Sequence, residues 1–462
     1  MAENKDKFDG FREKYPVFTY KDYSWKLEKN ILTLSFTYVL SEEDTIKTSI
    51  EINLPGKISE ENIKENEDFI FRIGLIEALS YWKAYCSPKI LIECGALSEY
   101  EISWWQKTWY DGMGEFRYKN GLLSVSKEDW VILEARPPKF GGLASKISKL
   151  HGNMIGFTGG KDSTLALALL REEKENETFG ILPVHNMEKI KSILGAEKSP
   201  ETLITRTMNE RLITLNHEGA LNGHTPFSIV VAFIGMFLAS LRGKKYVIVS
   251  NESSANEPTV PDTDINHQYS KSLAFEKRFQ DYTNQIWPDG PKYFSLLRPF
   301  SEAGIVKMLK KYEEVMPYIS SCNKKIKKGL WCGHCSKCLF AFTMISAVWD
   351  IPFAQKIFGI DMFEMPEHMN MLLELTGLAP TKPFECVGTM DESISALSKI
   401  FASDAGAKNK ALLSGLYNLH EDALPDPKRF DEIACQFREH LMPENFAEIA
   451  RKAQNQICHE SR

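Results

Sequence analysis

A short glycine-rich loop is the part of this sequence whose residues and spacing best fit a chemical role. The stretch NMIGFTGGKDSTLALALLRE at 153–172 has the pattern of an apolar strand, a loop and a helix. The loop consists of Thr158, Gly159, Gly160, Lys161, Asp162 and Ser163. Two glycines let the backbone approach an anion, and the first amides of the next helix have no internal partner. The lysine adds positive charge, and the aspartate and serine can cap the helix or help to bind magnesium. The loop predicts a phosphate site; the alternative is an ordinary strand–turn–helix corner.

Four cysteines that lie close together form a second group suited to chemistry. Cys322, Cys332, Cys335 and Cys338 have the spacing C-x9-C-x2-C-x2-C. Four thiolates can close a tetrahedral zinc site, which then has no open position for catalysis. We therefore expect a structural zinc ion; free buried or redox-active cysteines and an iron–sulfur cluster are the alternatives. Without an export signal, metal binding is favoured over disulfide bonds for the nine cysteines.

Strands and helices alternate between residues 149 and 300, and this alternation predicts how the loop is positioned. We expect strands at 153–157, 179–184 and 246–250 and a buried helix at 227–241. Such alternation is typical of a parallel sheet whose ligands bind beyond the carboxyl ends of the strands. Three strand ends then converge: the glycine loop, His185 with Asn186, and Asn251 with Glu252. The predicted fold class is α/β with a parallel doubly wound sheet.

Two further regions flank this phosphate-binding domain, which we place at 149–350 together with the four cysteines. Residues 1–148 are expected to form an α+β substrate-binding domain with strands at 31–39 and 48–52 and a helix at 69–85. A turn-rich break at 136–142 is the expected linker. Residues 351–462 are expected to be mostly helical.

Composition and charge argue against several classes of protein. A net charge of −6 over 462 residues argues against a broad nucleic-acid surface. The longest apolar run, at 227–241, is shorter than the roughly 20 residues that a membrane helix needs. The first eleven residues are polar, so we expect no secretory signal. These features predict a cytoplasmic protein that binds small molecules and neither nucleic acid nor membrane.

The glycine-rich loop resembles the PP-loop of the ATP pyrophosphatase superfamily and not the longer P-loop of common NTPases. The resemblance implies a HUP-like domain that splits ATP between its α and β phosphates. The loop residues, His185 and Asn186 would then contact the nucleotide. Together with the four cysteines, residues 160–340 are also similar to 7-cyano-7-deazaguanine synthase. A ligase or nitrile synthase of that type is therefore an alternative function.

A second resemblance covers about residues 70–390. It rests on five strings, which are GMGEFRYKN at 112–120, GHTP at 223–226, SNE at 250–252, NHQYSKS at 266–272 and KPFECVG at 382–388. Their order and content look like those of the MurL family, the UDP-N-acetyl-α-D-muramoyl-L-alanyl-L-glutamate epimerases. The resemblance implies inversion of the terminal L-Glu of UDP-MurNAc-L-Ala-L-Glu to D-Glu in peptidoglycan synthesis. It also implies consumption of ATP with Mg²⁺, formation of an acyl-adenylate and release of AMP and pyrophosphate.

Such an inversion needs an acid and a base on opposite faces of the α-carbon, or one mobile group. The candidates are Cys386, Glu385, His185, His224 and Glu252, of which His185 could equally contact the nucleotide. The alternative for the cysteine is inert packing, and for His224 an ordinary loop position. The candidates for binding the charged substrate are Glu115, Arg117, Lys119, His267, Tyr269 and Lys271. For these residues the alternative is a solvated loop.

Two more functions remain open at this point. One is RNA modification such as thiolation, against which the net acidity counts. The other is a nucleotide-sensing protein without catalytic activity.

Overall fold

The computed structural model describes residues 2–137 and 150–459, and within them a single ten-stranded sheet is the central feature. The predicted domain boundary at 148 and most of the predicted linker at 136–142 lie outside the described residues, so both stay predictions. The strands are β1 Val17–Glu28, β2 Ile31–Val39, β3 Thr45–Asn53, β4 Lys89–Ala96, β5 Ile132–Arg136, β6 Asn153–Gly156, β7 Asn176–Ile181, β8 Glu201–Thr207, β9 Tyr246–Val249 and β10 Lys292–Ser295. Their order in the sheet is β10-β9-β6-β7-β8-β3-β2-β1-β4-β5.

The direction of pairing changes along this sheet. Strands β10, β9, β6, β7 and β8 pair in parallel, as the alternation of strands and helices predicts. Strands β8, β3, β2 and β1 pair antiparallel, and β1, β4 and β5 pair in parallel again. The α/β class is confirmed, but the sheet as a whole is mixed. Strand β3 joins β8 through the register from Ser49↔Thr207 to Asn53↔Leu203, so strands from residues 2–137 and from residues 150–459 share one sheet.

The first part of the chain supplies one side of the core. Its helices are α1 Ala2–Lys14, α2 Glu60–Glu65, α3 Glu67–Trp82, α4 Glu99–Gly112, α5 Gly114–Lys119 and α6 Lys127–Trp130. Every second residue of β2 is buried, which is the alternation expected of a strand with one covered face. Trp104, Trp105 and Trp109 on α4 are buried in the core. The predicted strands at 31–39 and 48–52 and the helix at 69–85 correspond to β2, β3 and α3.

Helices around the parallel strands place the glycine loop. They are α7 Lys161–Leu170, α8 Met187–Leu194, α9 Glu210–His217, α10 Phe227–Leu241, α11 Leu273–Ile286 and α12 Glu302–Leu309. Helix α10 has the predicted bounds and is almost wholly apolar, because it packs against α3 on one side and β6 on the other. Strand β7 starts earlier than predicted and ends at Ile181, before Pro183, which has no amide hydrogen to donate.

The rest of the chain is helical, as predicted. The helices are α13 Ser336–Val348, α14 Ile351–Phe358, α15 Met369–Thr376, α16 Met390–Ser403, α17 Ala411–His420, α18 Arg429–Ala434 and α19 Glu444–His459. Contrary to the expectation for the cysteines, a disulfide bond joins Cys435 to Cys458, with Cα atoms 5.7 Å apart. Helix α19 reaches the sheet, where the rings of Phe446 and Tyr246 are 5.0 Å apart. None of the helices described is long and apolar enough to cross a bilayer.

Candidate active site

A cavity of about 500 Å³ lies where the chain leaves β6, β7 and β9. The residues of the sequence-based prediction that line it are Thr158, Gly159, Gly160, Lys161, Asp162, Ser163, His185, Glu252, Lys271 and Cys386. Helix α7 begins within this lining, so the free amides of its first turn belong to the cavity. The volume is in the range of small-molecule sites. The structure therefore brings the glycine loop, a histidine, a carboxylate, an ammonium group and a thiol together in one space.

The glycine loop has a conformation that only glycine adopts easily. Gly159 has a φ of +78°, and a Cβ atom there would lie 2.5 Å from the carbonyl oxygen of His185. The amide of Thr158 donates to Ser163 Oγ at 3.3 Å, and that hydroxyl donates to the Gly160 carbonyl at 3.2 Å. The loop is thus closed by its own hydrogen bonds, and Gly159 lies close to His185 in the segment after β7.

Three carboxylates surround the lysine of the loop. Oxygens of Asp162, Glu252 and Glu302 all lie within 4.8 Å of one another. Lys161 Nζ lies 2.5 Å from Asp162 Oδ1 and forms an ion pair with Glu302. Burial disfavours the charge of Lys161, but these three carboxylates raise its pKa above the ordinary value. Clustered carboxylate oxygens are the ligands that Mg²⁺ prefers, so the three acids could hold that ion beside the loop.

His185 and Asn186 follow β7 but face different surroundings. His185 lines the cavity, and its Nε2 is buried with no hydrogen-bond partner among the residues described. Such a nitrogen is available to a polar atom of a ligand. Asn186 lies outside the cavity lining, where it precedes α8 with a φ of +56°. Its Nδ2 donates to the carbonyl of Tyr318 at 3.0 Å.

A buried thiol and an ammonium group form a pair on the cavity wall. Lys271 Nζ lies 3.2 Å from Cys386 Sγ. Burial alone would raise the pKa of the Cys386 thiol, but the charges of Lys271, His267 and Lys337 lower it to about 5. Burial lowers the pKa of Lys271, whereas Cys386 and Glu252 raise it beyond its ordinary value. The cysteine is therefore a thiolate at neutral pH, which is the reactive form of this residue.

The imidazole of His267 interacts with the Cys386 thiolate, and the carboxylate of Glu115 binds the other side of that ring. His267 Nδ1 shares a short hydrogen bond with the Glu115 carboxylate, which also pairs with Lys119. Burial lowers the pKa of His267, but Cys386 and Glu115 raise it to about 9, so the ring is cationic. The ring of His224 lies 4.2 Å from that of His267. Burial and the neighbouring cation lower the pKa of His224 to about 3, so this second ring is neutral.

The other residues of the prediction do not line the cavity; they are Glu385, His224, Glu115, Arg117, Lys119, His267 and Tyr269. Glu385 accepts a hydrogen bond from the backbone amide of Lys337, at the start of α13, at 3.1 Å. The guanidinium of Arg117 stacks on the ring of Tyr110, with Cζ 3.7 Å from the ring centroid. The hydroxyl of Tyr269 donates to Asp111 Oδ2 at 3.0 Å. Of these residues, Glu385 and His267 interact with residues of the cavity wall, namely Lys337 and Cys386.

The four clustered cysteines are buried and converge at the start of α13. Sulfur atoms of Cys322, Cys332, Cys335 and Cys338 all lie within 4.8 Å of one another. Cys338 Sγ lies 3.7 Å from Cys332 Sγ and 3.5 Å from Cys335 Sγ. Four buried thiols at these separations fit the ligand set of a tetrahedral zinc ion.

Two family models match the chain and cover most of it. The MurL N-terminal domain matches residues 10–296, and the MurL C-terminal domain matches residues 318–428. The chain belongs to the MurL family. The two matches include the glycine loop, the four cysteines and Cys386, so the cavity is built from both MurL domains.

Curated MurL relatives from three bacteria carry one name, UDP-N-acetyl-α-D-muramoyl-L-alanyl-L-glutamate epimerase. The relative from Xanthomonas oryzae pv. oryzae is 26% identical over 441 residues, which are 93% of this chain and 96% of the relative. The relative from Salinispora tropica is 28% identical and covers 89% of both chains. The relative from a Micromonospora species is 29% identical over 72% of this chain and 74% of its own. No solved structure matches the chain significantly. The prediction of an isomerase family is confirmed by these names.

Two charged residues that line this MurL cavity are missed by the sequence-based prediction. Glu302 follows a serine N-cap, so its sequence context indicates only the favourable first turn of α12. Lys337 lies between Cys335 and Cys338. A lysine in that position is expected to offset the negative charge of the thiolates and not to line a cavity. Both line the cavity because α12 and α13 begin beside the glycine loop and the thiolate. No local signal in the sequence reveals this.

Proposed function

We propose that this protein inverts the terminal L-Glu of UDP-MurNAc-L-Ala-L-Glu to D-Glu at the expense of ATP. The proposal rests on one observation, which is that the glycine loop and the thiolate of Cys386 line the same cavity. The name shared by the three MurL relatives supports the substrate and the reaction. A phosphate loop beside an ionised thiol places a site for ATP and a reactive side chain within reach of one substrate.

ATP would bind with its phosphates at the loop from Thr158 to Ser163. The amides at the start of α7 and the ammonium of Lys161 face the negative charge that grows as pyrophosphate leaves. Asp162, Glu252 and Glu302 would hold Mg²⁺, which, when bound, offsets the charge of the phosphate oxygens. The free Nε2 of His185 is available to the nucleotide.

Activation of the glutamate carboxylate explains why ATP is needed. Loss of a proton next to a carboxylate places a carbanion beside an existing negative charge. Conversion of the carboxylate to an acyl-adenylate removes that charge, and the carbonyl can then accept electron density as an enolate. The substrate carboxylate would enter the cavity near Lys271, the one residue among the proposed substrate contacts that lines it. Glu115, Arg117, Lys119, His267 and Tyr269 would act from behind the wall.

A structural zinc ion at the four cysteines is a second part of the proposal. The cluster leads directly into α13, whose second residue is Lys337 on the cavity wall. Zinc bound there would fix the start of α13 and so the position of this ammonium group. A cytoplasmic location belongs to the proposal as well, because the reaction consumes ATP.

The test is a stereochemical assay with ATP, Mg²⁺ and UDP-MurNAc-L-Ala-L-Glu. We expect a D-Glu product, AMP and pyrophosphate, and in D₂O one deuterium at the α-carbon of the product. Asp162→Asn should lower the rate, whereas Asp289→Asn, at an exposed carboxylate, should not. Unchanged stereochemistry with ATP bound would refute the proposal.

The same assay separates the alternative functions. A nitrile synthase or ligase would consume ATP without deuterium incorporation at an α-carbon. The three relatives, all named epimerases, give that alternative no support.

A further inference from the structure

The surroundings of Cys386 are those of a nucleophile. A thiolate is paired with an imidazole that is itself oriented by a carboxylate, since His267 interacts with Cys386 and shares its Nδ1 bond with Glu115. A nucleophile, a neighbouring imidazole and a third group that orients the ring form the arrangement that supports covalent catalysis.

The electrostatics of the pair also favour nucleophilic attack. The groups that face the thiol are Lys271, Lys337 and His267, and they lower the pKa of Cys386 to about 5. A thiolate with such a low pKa is a weak base towards a C–H bond. It remains a good nucleophile, because the nucleophilicity of sulfur falls only partly as its pKa falls. The side chain is thus better suited to attack an activated carbonyl than to remove an α-proton alone.

We propose that Cys386 attacks the acyl-adenylate and carries the glutamyl group as a thioester while its α-carbon is inverted. This step rests on the proposed function, because it needs a carboxyl group activated by ATP. The glycine loop and Cys386 line one cavity, so the adenylate can be formed at the loop and transferred to sulfur without leaving the site.

The bonds and charges balance over the sequence of steps. The thiolate forms a C–S bond to the acyl carbon, the C–O bond to AMP breaks, and AMP leaves with the electron pair. The α-proton then passes to solvent and a proton from solvent is added to the opposite face of the α-carbon, with no net change. Water attacks the thioester carbonyl, which releases the D-glutamyl carboxylate and restores the thiolate, and two protons pass to solvent. Attachment to sulfur keeps the acyl group activated after AMP has gone.

The experiment is a rapid-quench single turnover of the full-length protein with ATP, Mg²⁺ and substrate labelled with ¹⁴C in its glutamyl residue. Glutamate deuterated at the α-carbon slows C–H cleavage, so an intermediate formed before this step accumulates. We expect protein-bound label that appears before the D-Glu product, is removed by neutral hydroxylamine and maps to the peptide with Cys386. Cys386→Ser should carry no label that neutral hydroxylamine removes and should form the D-Glu product much more slowly, whereas Cys94→Ser, outside the cavity, should behave like the parent protein.

The two proposals fail in different ways. Product that forms in the parent protein without any protein-bound label, or in Cys386→Ser at the rate of the parent protein, overturns the thioester but leaves the epimerisation intact. Label on a residue other than Cys386 overturns it as well. Absence of both product and substrate-dependent exchange between ATP and pyrophosphate would overturn the proposed function itself.

Discussion

Replacement of Lys271 by methionine should raise the pKa of the Cys386 thiol by about two units. The ammonium and the sulfur are 3.2 Å apart, and at an effective dielectric constant of about 20 this pair is worth about 5 kcal/mol, or nearly four pKa units. His267 and Lys337 remain in Lys271→Met, and water that enters the site restores part of the lost stabilisation. We therefore expect about half of this upper limit, which moves the pKa from about 5 to roughly 7.

The assay is the rate of alkylation of Cys386 by iodoacetamide as a function of pH, followed by mass spectrometry of the peptide. The thiolate is the reacting form, so the rate falls as the pH drops through the pKa. Loss of a neighbouring positive charge disfavours the thiolate, and the midpoint must therefore move to higher pH. The acid limb of the catalytic rate should move in the same direction.

Lys244→Met is the matched control, because Lys244 is also buried in an ion pair, 3.0 Å from Glu177, but lies outside the cavity. It should leave the alkylation midpoint of Cys386 unchanged. A midpoint in Lys271→Met equal to that of the parent protein would refute the assignment of the low pKa to this contact.

Three further predictions concern the loop and the cysteines. Asp162→Ala should slow substrate-dependent exchange between ATP and pyrophosphate at least tenfold, measured with labelled pyrophosphate, because one proposed magnesium ligand is lost. Gly159→Ala should lower the free energy of unfolding in urea by about 2 kcal/mol or more, since Cβ would meet the His185 carbonyl oxygen at 2.5 Å. Gly195→Ala, with a φ of +69° and open space around it, should cost less. Cys332→Ser should abolish one equivalent of protein-bound zinc by elemental analysis, and an unchanged zinc content would contradict the site.

The glycine loop and its place at the carboxyl ends of the parallel strands could largely be predicted from local sequence. An apolar run, two glycines and a helical pattern lie within twenty residues, and parallel strands gather their carboxyl ends at one edge. The glycine loop, His185 and Glu252 therefore line the cavity as the sequence predicts. Helix α10 is predicted with its bounds because its apolar residues are uninterrupted by charge.

The network behind Cys386 depends on contacts between distant parts of the chain. Glu115 lies on α5, His267 and Lys271 precede α11, and Cys386 lies between α15 and α16. Propensity and periodicity act within one element, so they indicate that each residue is polar and near a loop but not that the groups meet. Strand β8 is missed for a related reason, since its side chains alternate only in part and its partner β3 lies far away in sequence.

The pairing of β3 with β8 also bears on how this enzyme can move. Backbone hydrogen bonds tie the strands of the first part of the chain to those that carry the glycine loop, so opening one against the other would break the ladder. Hinge opening between these parts would therefore cost the backbone hydrogen bonds between β3 and β8. Amide protons on both sides of the junction should accordingly exchange with solvent in a single cooperative event.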